Sequence, residues 1–337
     1  AQPPAARGDF QGVVMIRCAL TVLAATGLAL AAAPAAAADA YPSRPVTIVS
    51  PFPAGGATDT LTRLLAERMS QELGQSLVVE NKAGAGTSIG ASFVERAAPD
   101  GYTILMATNS TLVTNRFLYK DLPYDPDGYT PIGMVGIGPL VLLSSPKHDF
   151  ASVADIVRHA KANPGKLSFA SFGQGTSSHL AAEYFKDMAG LDMLHVPFRG
   201  ATQALPVLAA GDVDLFFDMI ATGMPQVEAG RAKVFAVTSK HRMPNLPQLP
   251  TLAESGFPGY EMTAWFSFVA PKGTPHEAVA KLQAALGAAL KDDTVRKKML
   301  DMGIDPRNGT AQELTDQIES EKPVIEKLVK QANIKLQ

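Results

Sequence analysis

Val46-Thr-Ile-Val-Ser-Pro-Phe-Pro-Ala-Gly-Gly-Ala-Thr-Asp-Thr-Leu-Thr-Arg-Leu-Leu65 reads as a strand, a glycine-rich turn and a helix in direct succession. Val46 to Val49 is a short β-branched run suited to a buried strand. Pro51 and Pro53 end it, and Gly55-Gly56 let the backbone turn sharply with its N–H groups exposed. A helix starting near Ala57 then carries Leu61, Leu64 and Leu65 on one face. The free N–H groups and positive dipole end of such a helix start attract an anion. The loop holds no Lys, so it is not a Walker-type phosphate loop, and a smaller anion such as a carboxylate is expected.

Composition sets the frame for that reading. The 337 residues are 46% hydrophobic and 18% charged, ordinary globular values with enough length for two modest domains. A net charge of −2 gives no basic surface for nucleic acid. Met15-Ile-Arg17 followed by the apolar run Cys18–Leu30 and a small-residue tail to Ala40 has the form of a secretory signal. Cleavage is expected after Ala38 or Ala40, with residues 1–14 lying upstream of the start at Met15. The apolar run is short for a membrane span of ~20 residues. Cys18 is the single cysteine and lies inside the signal, so the exported product would have neither disulfides nor a cysteine nucleophile. A soluble, exported protein is expected.

Strand and helix signals then alternate, which argues for an α/β fold with largely parallel sheets. Strands are expected at Val46–Val49, Leu77–Val79, Tyr102–Met106, Leu140–Leu143, Leu167–Ala170, Met193–Val196, Asp214–Phe217 and Val234–Thr238. Helices are expected between them, and a helical tail over 276–290, 292–302 and 311–334. The tail has few strand signals and is expected to pack back on the first unit. That divides the chain into 41–138 with 262–337, and 139–261, with crossings near Ile137–Leu140 and Thr263–Phe268. Ligands of open α/β sheets bind beyond the carboxyl ends of strands and in clefts between domains.

Several segments taken together resemble the Bug receptors, the periplasmic substrate-binding proteins of tripartite tricarboxylate transporters. They are Ser50–Asp59 with Arg63, Val79–Gly90, Ala98–Leu105, Leu122–Asp125, Gly173–Glu183, His195–Gly200, Leu249–Tyr260, Trp265 and Ala270–Pro275. The ordered series covers essentially all of 41–337. It implies a two-lobed venus-flytrap fold, each lobe a mostly parallel sheet flanked by helices, closing on a small carboxylate held by main-chain groups of two facing loops, partly through water. Those loops would be 52–59 and 173–178. Two residues depart from the family pattern: Ala83 replaces a common proline and Thr87 a glycine.

The residues expected to bind ligand are Phe52, Pro53, Ala54, Gly55, Gly56 and Asp59 on the first loop, and Gly173, Gln174, Gly175, Thr176, Ser177 and His179 on the second. Asp59 would repel a carboxylate, so it is expected to organise its loop or to meet a polar group of the ligand. Thr176 and Ser177 hydroxyls can cap a helix or donate to an oxygen anion. Thr108, Asn109 and Ser110 follow a strand and offer polar contacts at its carboxyl end, with helix capping as the other explanation. Arg199 is read either as a carboxylate contact or as a salt-bridge partner, and Asp218 as an acceptor facing the cleft. Gly84-Ala-Gly-Thr-Ser-Ile-Gly90 has the wrong glycine spacing for a dinucleotide fingerprint and is read as a tight turn with close helix–strand packing.

No metal-ligand cluster and no cofactor are expected. No serine, histidine and acid stand at a recognisable triad spacing, so no enzyme is expected. The rival class, a secreted hydrolase of carboxylic esters, would need Ser177 or Ser178 with His179, and neighbours on a helix do not face each other. The expected role is that of a monomeric receptor that hands a mono- or dicarboxylate to membrane permease subunits. A ligand-sensing partner of a membrane kinase would use the same binding chemistry.

Overall fold

The computed structural model describes residues 1–3, 41–331 and 334. The expected signal with Cys18, its cleavage points at Ala38 or Ala40, and the start at Met15 lie outside the described residues. Contacts divide the chain into Ala1–Tyr41 and Pro42–Gln337, and every element below belongs to the second unit.

Strand β1 (Val46–Ser50) buries Val46, Ile48 and Val49 completely. Helix α1 (Ala57–Leu73) follows the Gly55-Gly56 turn and sinks Leu61, Leu65 and Met69, each about 1.5–3 kcal/mol of apolar burial. It ends at Gly74, whose left-handed φ of 66° lets its N–H close on the Ser70 carbonyl. β1 pairs in parallel with β2 (Leu77–Asn81) and β3 (Thr103–Thr108). Helix α2 (Ser88–Glu95) packs closely on this layer: a Cβ on Gly90 would lie 3.1 Å from the Lys82 carbonyl and 3.2 Å from Pro51. A π-turn at Ser110–Thr114 and a short α3 (Asn115–Leu118) follow β3.

The second sheet repeats the plan. β5 (Ser168–Ser171) lies parallel between β6 (Leu194–Pro197) and β7 (Leu215–Met219). Helices α4 (Val153–Ala162), α5 (Ser177–Ala189), α6 (Ala201–Ala210) and α7 (Ile220–Glu228) belong to this half, with β8 (Lys233–Val237) at its close.

One strand serves both sheets. In β4 (Tyr129–Ser144), Tyr129 to Pro139 pair antiparallel with β9 (Thr263–Pro271), while Leu140 to Ser144 pair antiparallel with β7 and β8. The sheets are therefore parallel in their outer strands and antiparallel where the chain crosses. The first half of β4 and all of β9 went unread as strands in the sequence. Pro131, Gly133, Gly136, Gly138 and Pro139 look like strand breakers. In the fold, bulges absorb the irregularity at Pro131/Gly133 and Met134/Gly136. The glycines are there because the C-terminal segment lies against them: a Cβ on Gly133 would meet the Gly309 carbonyl at 2.1 Å, and one on Gly138 the Gly303 carbonyl at 2.8 Å.

The tail is helical as expected: α8 (His276–Lys291), α9 (Asp293–Asp301) and α10 (Ala311–Gln331), with a two-residue strand β10 (Asp305–Pro306) antiparallel to β4. α8 packs on α1 and β4, and α10 packs on β4, so the tail covers the first sheet. Among the described residues no helix is long and apolar enough to cross a membrane.

Candidate functional site

The carboxyl ends of β1 and β5 point their following loops at each other. Between them is a cavity of about 420 Å³, lined on one side by Pro51, Phe52, Gly84–Thr87 and Tyr119 and on the other by Phe172–Gln174, Pro197–Arg199 and Gln203. That volume falls within the ~300–1,000 Å³ range of small-molecule sites. Beside it lies a space of about 30 Å³, lined by Phe52, Pro53 and the first residues of α1, α6 and α7. The two sides touch directly. Phe52 meets Phe172 edge-on at 6.2 Å, and the Tyr119 hydroxyl donates to the Gln174 carbonyl at 3.4 Å. A Cβ on Gly86 would lie 2.2 Å from that same carbonyl oxygen.

The electrostatics come from backbone. The starts of α1, α6 and α7 face the smaller space, and the loops leading into α2 and α5 face the larger cavity. At Gly56, Thr87, Thr176 and Gly200 the residue before the helix gives no side-chain cap. Ser152 and Asp292, which line neither space, do cap α4 and α9. Uncapped first-turn N–H groups are the donors a carboxylate needs. Arg199 is the one charged side chain lining either space, and among the described residues its guanidinium has no ion-pair or hydrogen-bond partner.

Asp59 resolves as scaffold. Its buried carboxylate accepts from the Gly55 N–H (2.9 Å), Arg63 Nε (3.0 Å) and Asn81 Nδ2 (2.8 Å). Burial alone would raise its pKa; the hydrogen bonds from Arg63, Gly55 and Asn81 outweigh that and hold it below the usual carboxylate range. Asn81 Nδ2 also donates to the Phe52 carbonyl at 2.9 Å, which fixes the loop at both ends.

The second loop is held in the same way. Thr176 Oγ1 donates to the Gly173 carbonyl at 2.7 Å rather than capping α5, and the Gly175 N–H donates to His179 Nδ1 at 3.3 Å. His179 stacks on His195 at 4.1 Å, and His195 Nε2 lies 2.6 Å from Ser171 Oγ. Burial pushes the His179 pKa down to about 3, helped by His195 and Lys186, and burial with Lys186 brings His195 to about 4. Both rings are therefore neutral at physiological pH. Ser178 Oγ donates to the Phe217 carbonyl at 2.6 Å, away from His179.

Phe52, Gly173, Gln174 and Arg199 line the larger cavity, and Phe52, Pro53 and Gly56 the smaller space. The other expected contacts line neither. Ala54 and Gly55 are exposed, and the Gly55 N–H is taken by Asp59. Gly175 approaches Asn115 and Tyr119 of the facing side, and Thr176, Ser177 and His179 are buried. Thr108 lies in β3 opposite Phe266, Asn109 Nδ2 donates to the Thr263 carbonyl, and Ser110 is buried in the π-turn. All three are buried and line neither space.

Asp218 is fully buried and turned toward α7. Its Oδ1 accepts from the Met219 N–H and Thr222 Oγ1, and its Oδ2 has no partner among the described residues. Burial raises its pKa to about 7 against those hydrogen bonds.

Gly84–Gly90 holds the tight turn and the close helix–strand packing expected of it, and Gly84–Thr87 also lines the cavity and meets the opposite loop. Four residues in a row there have positive φ: Gly84 130°, Ala85 47°, Gly86 57° and Thr87 83°. The glycine pair was the available signal; the facing loop was not.

Two sheets joined by crossing strands, with a cavity between the loops that follow their strands, define a two-lobed solute-binding protein of the periplasmic type. Residues 61–334 match the tripartite tricarboxylate transporter family receptor, and the chain belongs to that family. It is 34% identical to protein BugT of Bordetella pertussis over 290 residues, 85% of this chain and 89% of the relative. It is similar to the Rhodopseudomonas palustris structures of Rpa4515 with adipate and of MatC with malate. The first has a TM-score of 0.85 and 38% identity, covering 87% of this chain and 98% of that one. The second has a TM-score of 0.82 and 33% identity, covering 86% and 100%.

Proposed function

We propose that this receptor captures a small organic carboxylate between its lobes and delivers it to membrane permease subunits, without chemistry on the ligand. The observation that carries the reading is the cavity between the loops that follow β1 and β5, with Arg199 as the one charged side chain lining it and helix starts without side-chain caps around the adjoining smaller space. A buried carboxylate is stable when donors surround it, and neutral donors release it more readily than a buried counter-charge. The carboxylates named for the similar structures, adipate and malate, belong to this chemical class.

On this reading the lobes are 41–138 with 262–337, and 139–261, and they close about β4 and the return at Met262-Thr263. Closure is favoured because ligand bridging both lobes binds the closed state better than the open one. The site is Phe52, Pro53, Gly56, Gly173, Gln174 and Arg199, joined by Gly84–Thr87 and Tyr119. The receptor works as a monomer in the periplasm, after export by its N-terminal signal.

The test is a thermal-shift screen of aliphatic, aromatic and amino-acid carboxylates, each paired with its amide. Carboxylates should raise the melting temperature and their amides should not. No shift across the panel, or turnover of a carboxylic ester, would overturn the reading.

A further inference from the structure

We propose that Tyr119 and the Gln174 carbonyl form a clasp that holds the two lobes closed whatever ligand lies between them; this rests on the two-lobed reading above. Tyr119 is then a positioning residue, which adds to affinity without choosing the ligand.

The first half of the clasp is a turn tied to its own lobe. The π-turn Ser110–Thr114 runs into α3, and Tyr119 follows with extended backbone (φ −95°, ψ 129°). Asn115 Nδ2 donates to the Gly86 carbonyl at 2.9 Å and to the Tyr124 hydroxyl at 3.0 Å. Arg116 donates to the Leu112 carbonyl at 2.8 Å and pairs with Asp127 at 3.0 Å. These bonds hold the turn that carries Tyr119. Burial raises the Tyr119 pKa, so its hydroxyl keeps its proton and serves as a donor.

The second half is the tip of the opposite loop, where Gly173 (φ 124°) and Gly175 (φ 77°) flank Gln174. Among the described residues the Gln174 carbonyl accepts from no group of its own lobe, and its partner is the Tyr119 hydroxyl at 3.4 Å. Closing exchanges water on that carbonyl for the hydroxyl, a modest net gain for a long, neutral bond. The tip fits closely against the turn. A Cβ on Gly175 would lie 2.6 Å from Asn115 Oδ1, 3.3 Å from Leu118 Cδ1 and 3.6 Å from the Tyr119 ring.

The other polar side chains lining the cavity do not cross it. Gln203 Oε1 accepts the Arg199 N–H at 3.2 Å on the same side, and among the described residues the Gln174 and Arg199 side chains have no hydrogen-bond partner. These three are exposed and available to a ligand, so they can distinguish one ligand from another. Tyr119 is the lining side chain that hydrogen-bonds across the cleft.

Tyr119→Phe keeps the ring and removes the hydroxyl. Across straight-chain mono- and α,ω-dicarboxylates it should raise every measurable Kd by one common factor of about two- to fivefold, carried by faster dissociation in stopped flow. Gln174→Ala removes the side chain and keeps the carbonyl, so the same factor should appear in that background. In the ligand-free protein, spin labels at Glu67→Cys and Ala154→Cys, exposed positions on α1 and α4, should show less of the closed-cleft distance once Tyr119 is Phe. An unchanged Kd, a factor that differs between ligands, or a factor that disappears with Gln174→Ala overturns the clasp. If wild type binds no member of the panel, the carboxylate reading fails. The spin-label distances then judge the clasp alone, supporting it by their shift and overturning it if they stay.

Discussion

The Asp59 carboxylate accepts the Gly55 N–H at 2.9 Å, so the acid in the first jaw faces its own loop and not the cleft. The same carboxylate holds Arg63 and Asn81, and Asn81 in turn holds the Phe52 carbonyl. Asp59→Ala should leave these partners unsatisfied and cost ~1–3 kcal/mol, read as a lower urea midpoint, with weaker carboxylate binding as the loop loses its shape. Full ligand affinity in a destabilised Asp59→Ala protein would separate the loop's conformation from binding.

Two glycines with positive φ should respond differently to the same substitution. A Cβ on Gly175 would lie 2.6 Å from Asn115 Oδ1 across the cleft, whereas one on Gly55 meets nothing nearer than Thr202 at 3.8 Å. Gly55→Ala should cost only backbone strain, roughly 1–2 kcal/mol. Gly175→Ala should also hold the jaws apart and abolish ligand-induced thermal stabilisation. Equal ligand shifts in the two variants would contradict this.

Arg199 lines the larger cavity, and among the described residues its guanidinium has no partner. Because it is exposed, its attraction to an anion is screened and modest. Arg199→Gln should raise the dissociation constant by roughly three- to tenfold and flatten its dependence on salt, measured by titration at low and high ionic strength. An unchanged constant at low salt would remove Arg199 from the site.

Stability should show a plateau in pH. Folding lowers the pKa of His179 to about 3 and His195 to about 4, so the unfolded chain takes up their protons first, and stability falls as pH drops from the ordinary histidine range toward 4. Asp218 and Glu321 are both raised by burial to about 7, so the folded chain keeps protons the unfolded one has lost. Their contribution is complete below the ordinary carboxylate range and is lost as pH rises toward 7. Between ~4.5 and ~6.5 the two effects oppose each other. Asp218→Asn, which mimics the protonated acid, should weaken the decline above pH 6.5 and make stability rise with pH across the former plateau. Urea midpoints from pH 4 to 8 check both; an unchanged profile in the variant would refute the assignment to Asp218.

The first jaw was legible because its signals are local. Val46–Val49, Gly55-Gly56 and the leucines after Ala57 each specify conformation within a few residues. Charge left Asp59 two roles, organising its loop or meeting a polar group of the ligand, and its bonds to Gly55, Arg63 and Asn81 favour the first. The stack of His179 on His195 has no signal in the sequence, because the two rings come from different elements.

The crossing strands were hidden for the opposite reason. The glycines and prolines of 131–139 signal a break, and only the segment Gly303–Gly309 lying against them makes a bulged strand the better solution.

By itself, then, the sequence determined an α/β chain with anion-accepting turns at the ends of its strands, since turn chemistry and hydrophobic period act over short distances. Which of those turns meet was decided by tertiary structure. β4 is shared by both sheets, and in the fold built on it Gly84–Thr87 stand opposite Gly173-Gln174 while Thr108–Ser110 and Asp218 are buried. A side chain's direction depends on the register of its strand, and register is a property of the paired chain.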